Sequence, residues 1–410
     1  MATFDETLEK YAELAVKNGV NIQEGQTLLV HAPISAVEFA RKVAEKAYKA
    51  GAKHVYFDWD DDILKLTKFK YAPDQAFEEV PMWKVKGLEE MAANGAAFLS
   101  IRTPDPDLLK DIDPEKVATA NKASSKAMET YKEYRMSNKV SWSIVTFPTE
   151  KWAKRVFPDL DSEEAVEKLW STIFQMTRAD REDPVAAWEQ HQKQLKEKAR
   201  YLNEKNYKKM HYRGPGTDLT IEFPEGYFWV GGGAKNQTGT DFIPNIPTEE
   251  VFTLPLKTGV NGTVRSTKPL NYSGTLINNF SFTFEEGRIV DFQAEEGYDT
   301  LKSLIESDEG SHYLGEVALV PDSSPISQSG LIFFNTLYDE NASCHLAIGR
   351  AYPSCLEGGS EMSREEQERH GVNKSLVHVD FMIGSAELDI DGETQDGETE
   401  PVFRMGNWAF

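Results

Sequence analysis

The first half of the chain alternates short apolar runs with amphipathic stretches. The run Thr27–His31 is followed by a helical pattern that Gly51 ends, and a second apolar run begins at His54. Ser35 and Glu38, three residues apart, have the spacing of a capping box and predict where that helix begins. A strand, a helix and a second strand in this order are typical of a parallel sheet with helical crossovers. We therefore predict an α/β fold for this half.

The pattern changes after about residue 209. Short segments in which apolar and polar residues alternate, such as 217–223, are now separated by turns that contain glycine and asparagine. This period of two predicts antiparallel hairpins. We therefore predict an N-terminal α/β domain over residues 1–210 and a C-terminal α+β domain, built on a largely antiparallel sheet, over residues 211–410.

Charge divides along the same boundary. The 410 residues carry 45 basic and 67 acidic side chains, a formal net charge of −22. Residues 1–210 hold 33 basic and 35 acidic side chains, whereas residues 211–410 hold 12 and 32, so −20 of the charge lies in the second half. Such acidity excludes a general nucleic-acid binder. The acidic half is either a solvated surface or a concentration of carboxylates for cations.

Two further features concern the cellular compartment. Cys344 and Cys355 are too few for a disulfide framework in a chain of this size. The N-terminal segment is amphipathic and acidic, unlike a signal peptide, and no window approaches 18 uninterrupted apolar residues. The sequence therefore predicts a cytoplasmic protein with no membrane partner.

Several histidines and acids of the second half stand inside apolar segments. His378 and Asp380 are two residues apart in a predicted strand, so both side chains project from one face. His345 and Glu316 each interrupt an apolar run, which is costly without a compensating partner. Each residue alone could be a satisfied core histidine or a strand-end acid. Together they favour a metal site.

The donor types indicate which metals such a site would bind. Imidazole and carboxylate ligands without thiolate suit Zn²⁺, Co²⁺ or Mn²⁺ in a catalytic site, and Mg²⁺ is a further possibility. Glu249 and Glu250, at the start of another apolar run, bring the candidates above four. More than four ligands suggest two metals that share a bridging carboxylate and activate a water for hydrolysis.

At these residues the sequence resembles the metallo-aminopeptidases of the aminopeptidase T, aminopeptidase S and PepS kind. Their order and spacing match along the whole chain. The stretches that carry the resemblance are Asn245–Pro255, Leu314–Pro321, Leu337–Pro353 and Asn373–Ser385.

The resemblance implies a role for each candidate residue. It implies a metal pair bound by Glu250, Glu316, His345, His378 and Asp380. Glu316 is then the bridge, Glu340 is also associated with the site, and Tyr352 donates a hydrogen bond to the oxyanion. A carboxylate that binds no metal must carry a proton to the leaving amine. We assign this role to Glu249 because it adjoins Glu250.

The implied function is a dinuclear aminopeptidase, in which a water bridging two divalent ions attacks the first peptide bond. Its partners are peptides with a free N-terminus, and the family forms homodimers. Two alternatives stay open at this point. One is another dinuclear metallohydrolase, such as an amidase or a phosphatase, and the other is a non-enzymatic interaction protein whose acids and histidines are structural.

Overall fold

A computed structural model of the chain describes residues 2–410 except Pro104, Pro106, Ser273 and Gly274. It forms two compact units. The first comprises residues up to His191 together with Gly233–Pro247, and the second comprises Gln192–Gly232 and Thr248–Phe410. The division into folding domains near residue 210 stays a prediction.

The helices differ in length between the two halves of the chain, since the long ones precede residue 206. In chain order they are α1 (Phe4–Leu14), α2 (Val37–Lys49), α3 (Asp62–Tyr71), α4 (Met82–Ala93), α5 (Pro114–Ala127), α6 (Glu129–Met136), α7 (Glu150–Val156), α8 (Ser162–Met176), α9 (Pro184–Lys205), α10 (Tyr298–Ile305), α11 (Pro325–Gln328), α12 (Thr336–Asp339) and α13 (Arg364–Arg369). Within the described residues, none of these helices has the length and apolar character needed to cross a membrane.

In the part of the chain that the structure describes, the strands fall into one parallel and three antiparallel sheets. In chain order they are β1 (Thr27–Pro33), β2 (His54–Asp60), β3 (Ala97–Arg102), β4 (Trp142–Thr146), β5 (Lys209–Gly214), β6 (Thr217–Glu222), β7 (Val230–Gly231), β8 (Ala234–Lys235), β9 (Asp241–Phe242), β10 (Val251–Thr253), β11 (Val260–Arg265), β12 (Leu270–Tyr272), β13 (Thr275–Glu285), β14 (Arg288–Glu296), β15 (Leu314–Leu319), β16 (His345–Gly349), β17 (His378–Met382), β18 (Asp389–Glu393), β19 (Thr399–Arg404) and β20 (Asn407–Trp408).

The first unit contains the parallel sheet. Its strands pair in the order β2, β1, β3, β4, and α2 connects β1 to β2. Leu28, Leu29 and Val30, which project to alternate faces of β1, are all buried, which is typical of a parallel strand that is covered on both faces. The α/β fold predicted for this region is thereby confirmed.

The predicted capping box in this unit is wrong. Ser35 lies inside a single 3-10 turn, Ile34–Ala36, and α2 begins after Ala36 without a side-chain hydrogen bond to cap it. Glu38 instead pairs with Arg41. The chain leaves β1 directly into a helical turn, so the residue before α2 has no extended backbone from which a capping side chain could reach back.

Two antiparallel sheets form the second unit, as the alternation after residue 209 predicted. One has five strands in the order β17, β16, β15, β10, β7. The other has nine strands, in the order β12, β13, β11, β6, β5, β18, β19, β20, with β14 also paired to β13. The small sheet of β8 and β9 belongs to the first unit.

The two large sheets share one apolar core. Phe282 of β13 and Phe381 of β17 meet edge to face there, with ring centroids 5.1 Å apart. Leu346 of β16 belongs to the same core. Because side chains alternate along a strand, its neighbours His345 and Ala347 project from the opposite face of the five-stranded sheet. We call this opposite face the ligand face.

Candidate metal centre

The ligand face brings the predicted residues together through strand register. Glu316 of β15 lies opposite Ala347 of β16, and Ala347 lies opposite Asp380 of β17. His345 is paired with Ala318 in the same way. Directly opposed residues of antiparallel strands project to one face. The methyl group of Ala347 is all that this face carries between the two carboxylates.

Five of the predicted ligands form two groups that overlap at one residue. In the first group, His345 Nε2 lies 3.1 Å from Glu250 Oε2 and 3.4 Å from Glu316 Oε1. In the second group, His378 Nε2 lies 3.4 Å from Glu316 Oε2 and 3.5 Å from Asp380 Oδ1. Each group offers three ligand atoms within 4.8 Å of one another. The two oxygens of Glu316 therefore face different histidines.

Backbone carbonyl groups orient both histidines. His345 Nδ1 is 3.1 Å from the carbonyl oxygen of Ser343, and His378 Nδ1 is 2.7 Å from that of Arg350. A carbonyl can only accept, so Nδ1 carries a proton and donates it in each bond. Nε2 is then the nitrogen that faces the carboxylates, which is the arrangement common to histidines that bind metals.

Burial and mutual repulsion raise the pKa values of two acids in this cluster. Burial raises the pKa of Glu250. Burial also raises the pKa of Glu340 well above its ordinary value, and the charges of Asp380 and Glu250 add to that effect. A carboxylate whose pKa rises in this way lacks compensating positive charge.

The pKa values of the shared carboxylate, Glu316, and of the two histidines shift for different reasons from those of Glu250 and Glu340. Burial opposes the charge of Glu316, but hydrogen bonds with His345 and His378 outweigh it and lower the pKa of Glu316 to about 2. Burial likewise opposes the charge of each histidine, but the neighbouring groups outweigh it and raise both pKa values well above the ordinary one. These groups are carboxylates at His345, and Tyr352 together with carboxylates at His378.

The donor set fits a pair of divalent cations. Four carboxylates act on one another here, and they belong to Glu250, Glu316, Glu340 and Asp380. Two divalent ions carry four positive charges and would match these carboxylates with the imidazoles neutral. Buried charges of one sign are stable only when they are paired or bind a metal. Carboxylate and imidazole donors without sulfur suit Zn²⁺, Co²⁺ and Mn²⁺.

Asn341 links two parts of this cluster, a role that no sequence pattern indicated. It is fully buried in the 3-10 turn Glu340–Ala342. Its Oδ1 accepts a hydrogen bond from the backbone N–H of Glu249 at 2.7 Å. Its Nδ2 donates to Glu340 Oε1 at 3.3 Å and to the carbonyl oxygen of Leu337 at 2.9 Å. One amide thus fixes the backbone beside Glu250 and the carboxylate of Glu340.

Replacing Asn341 with alanine is expected to weaken metal binding and stability together. The variant loses three hydrogen bonds in a buried place, which costs about 3 kcal/mol of unfolding free energy. Loss of a residue that orients ligands typically lowers metal affinity about 10–100-fold. Urea unfolding of the metal-free protein and titration with Zn²⁺ measure the two effects separately.

Asn203→Ala is the matched control for this prediction. The Asn203 side chain also makes hydrogen bonds to the backbone of a residue far away in the sequence. It donates to the carbonyl oxygen of Trp229 at 3.0 Å and accepts from the Trp229 N–H at 2.6 Å. The Asn203→Ala variant should be less stable than the unaltered protein and should keep its Zn²⁺ affinity. If Asn341→Ala also kept that affinity, Asn341 would have a structural role only.

Tyr352 lies beside the second group. Its ring meets the His378 ring at an interplanar angle of 64°, with centroids 4.8 Å apart. The charge of His378 lowers the pKa of Tyr352, but burial and the carboxylates of Glu316 and Asp380 outweigh it and raise that pKa. The phenol therefore keeps its proton at neutral pH and is able to donate a hydrogen bond.

Three further residues are not members of the two groups. Among the described residues, neither group includes Glu249, although its side chain is buried next to Glu250. His312, which the sequence analysis did not assign to the site, lies in the 3-10 turn Glu309–His312, where burial lowers its pKa. Glu340 is coupled electrostatically to both groups and belongs to neither.

The whole chain also matches a known protein family. Residues 4–408 fit the family described as thermophilic metalloprotease, M29. The chain belongs to the M29 metalloproteases. The resemblance inferred from the sequence is thereby confirmed.

Relatives of this M29 chain are aminopeptidases. Aminopeptidase 2 of Geobacillus stearothermophilus is 57% identical over 100% of this chain and 99% of its own length. Aminopeptidase AmpS of Bacillus subtilis strain 168 is 54% identical over 100% of both chains. The solved structure of wild-type AmpT from Thermus thermophilus has a TM-score of 0.94 at 43% identity and covers 100% of both chains. Family and relatives together support a metallo-aminopeptidase, which is a hydrolase.

Proposed function

We propose that this M29 chain is a dinuclear metal-dependent aminopeptidase that removes the first residue from peptides with a free N-terminus. The observation that carries the proposal is the position of Glu316, whose two oxygens face two separate histidines in two overlapping ligand groups. The donors suit Zn²⁺, Co²⁺ or Mn²⁺, and Mg²⁺ is also compatible. The homodimer and the cytoplasmic location stay predictions.

The two ligand groups divide the binding of the ions between them. Glu250, His345 and one oxygen of Glu316 would hold one ion, and His378, Asp380 and the other oxygen would hold the second. When bound, such a pair supplies an acidified water and polarises the scissile carbonyl. Glu316, which the two groups share, would hold both ions.

Further residues would act on the substrate itself. Glu340 would either complete the coordination of an ion or accept the ammonium group of the peptide, which would restrict cleavage to the first residue. The Tyr352 O–H would donate to the oxyanion of the tetrahedral intermediate. Glu249 is our candidate for carrying a proton to the leaving amine, because that step needs a carboxylate that binds no metal. The observation that supports this role is that Glu249 is buried and adjoins Glu250.

Removal of metal is expected to abolish activity reversibly. Protein dialysed against a chelator should lose cleavage of leucine p-nitroanilide, because the carboxylates and imidazoles alone supply no activated water. Zn²⁺, Co²⁺ or Mn²⁺ should restore it. Elemental analysis of the restored protein should find two equivalents per chain, and one equivalent would contradict the dinuclear part of the proposal.

A blocked amine separates this function from its alternatives. N-acetyl-leucine p-nitroanilide should resist cleavage, because its nitrogen can neither bind a metal nor pair with a carboxylate. Equal cleavage of the blocked and free substrates would indicate an amidase instead. Protein that binds no metal and cleaves neither substrate would indicate an interaction protein.

A further inference from the structure

The ligand face continues onto apolar side chains at the β7 edge of the sheet. Phe252 of β10 lies opposite Ala318 of β15, and Ala318 lies opposite His345. Val230 of β7 lies opposite Phe252 on its other side. Because directly opposed residues share a face, Phe252 and Val230 project on the same side of the sheet as the metal ligands.

These side chains belong to a small apolar cluster outside the core between the two large sheets. Its buried floor consists of Leu254, Ala351, Cys355, Leu356 and Val372. Four half-buried side chains pack on this floor, and we call them the apolar flank: Val230, Phe252, Tyr352 and Met362. Unlike the core residues, the flank keeps part of its apolar surface exposed.

Ring contacts connect the flank to the ligand groups. The rings of Phe252 and Tyr352 meet at 66° with centroids 6.1 Å apart, and Tyr352 in turn meets His378 at 4.8 Å. Ala318, which separates Phe252 from His345, adds only a methyl group to this face. The flank therefore borders the metal-binding residues directly.

We infer that the apolar flank binds the side chain of the first residue of the substrate, and that the enzyme selects peptides beginning with an uncharged apolar residue. This inference rests on the proposed function, because the ligand groups must hold the first residue by its amine and its carbonyl. The side chain of that residue then lies next to the ligands, where the flank offers apolar surface. A lysine side chain would lose hydration against this apolar surface.

The size of the preference follows from the burial of a few methylene groups. Each methylene that fits an apolar pocket changes kcat/KM by roughly 10–200-fold in other enzymes. Because the flank is half exposed, we expect a change in kcat/KM near the lower limit of this range. We expect leucine to be preferred over glycine, and over lysine, by at least about 10-fold in kcat/KM.

The test compares Phe252→Ala with the unaltered protein on leucine, lysine and glycine p-nitroanilides. The variant should lower the leucine-to-glycine ratio of kcat/KM about 10-fold, because Phe252 is the largest apolar side chain of the flank apart from Tyr352. Met362→Ala, which alters no strand, should lower the same ratio by a smaller factor. Metal content should equal that of the unaltered protein in both variants.

Phe292→Ala is the matched control. Phe292 is a half-buried phenylalanine of β14 that stacks on Tyr298 at 5.3 Å, in the nine-stranded sheet. It should keep the leucine-to-glycine ratio. If the unaltered protein cleaves all three substrates with metal while both flank variants keep that ratio, the inference is wrong and the proposed function stands. If the metal-loaded protein cleaves no aminoacyl substrate, both are wrong.

Discussion

Replacing Glu316 with glutamine is expected to abolish metal binding at both ligand groups and to lower kcat/KM by on the order of 10³-fold or more. Glu316 is the residue that the two groups share, so the change removes a charged ligand from each of them. A bound ion stabilises the transition state by several kcal/mol, and each 1.4 kcal/mol is tenfold in rate. Metal analysis and steady-state kinetics on leucine p-nitroanilide measure the two losses.

Glu393→Gln is the matched control for this variant. Glu393 is also a glutamate that contacts a histidine, since its Oε2 lies 3.1 Å from His211 Nε2, but it lies in β18 of the nine-stranded sheet. It should keep full metal content and activity. Two tightly bound equivalents in Glu316→Gln would show that Glu316 is not the bridge.

The sequence indicated the residues that the structure brings together in the two ligand groups because their signal is local. The alternation of side chains along a strand is enough to place His378 and Asp380 on one face. Glu316 is recognisable because it is a charged residue within the apolar segment LGEVALV. Strand register is not local. β10 pairs with β15, which lies about 65 positions further along the chain. Phe252 is therefore placed in line with His345 by pairing between strands that are far apart in the sequence.

Two further features of the site depend on such distant contacts. Asn341 is an ordinary polar residue in the sequence, and its role follows from a bond to the backbone 92 positions away. The register of β15 also shifts between Leu314 and Glu316. A shift of one residue decides which side chains lie on the ligand face, and residue types alone do not reveal it.

The acidity of the second half has two explanations in the structure. A few acids form the cluster on the ligand face. Others make solvent-exposed ion pairs elsewhere, as Glu295 does with Arg265 and Glu309 with Arg288. The solvated-surface interpretation therefore accounts for part of the charge, and the metal interpretation concerns only the carboxylates of the ligand face.

Tyr352→Phe is expected to lower kcat by about 10²–10³-fold, which is the usual effect of removing one oxyanion donor. The variant loses only the O–H, and its ring can keep the contacts with Phe252 and His378. Because Tyr352 is not among the grouped ligands, metal content should not change. Because the O–H acts when the oxyanion forms, KM should change much less than kcat.

Tyr207→Phe distinguishes this role from the loss of any buried hydroxyl group. The Tyr207 O–H donates to Glu400 Oε2 at 2.9 Å, and burial raises the pKa of this tyrosine as it does at Tyr352. Its loss should cost about 1 kcal/mol of unfolding free energy and leave kcat unchanged. A Tyr352→Phe enzyme that kept both full metal content and full kcat would exclude Tyr352 as the donor, and the oxyanion would then depend on the bound ions alone.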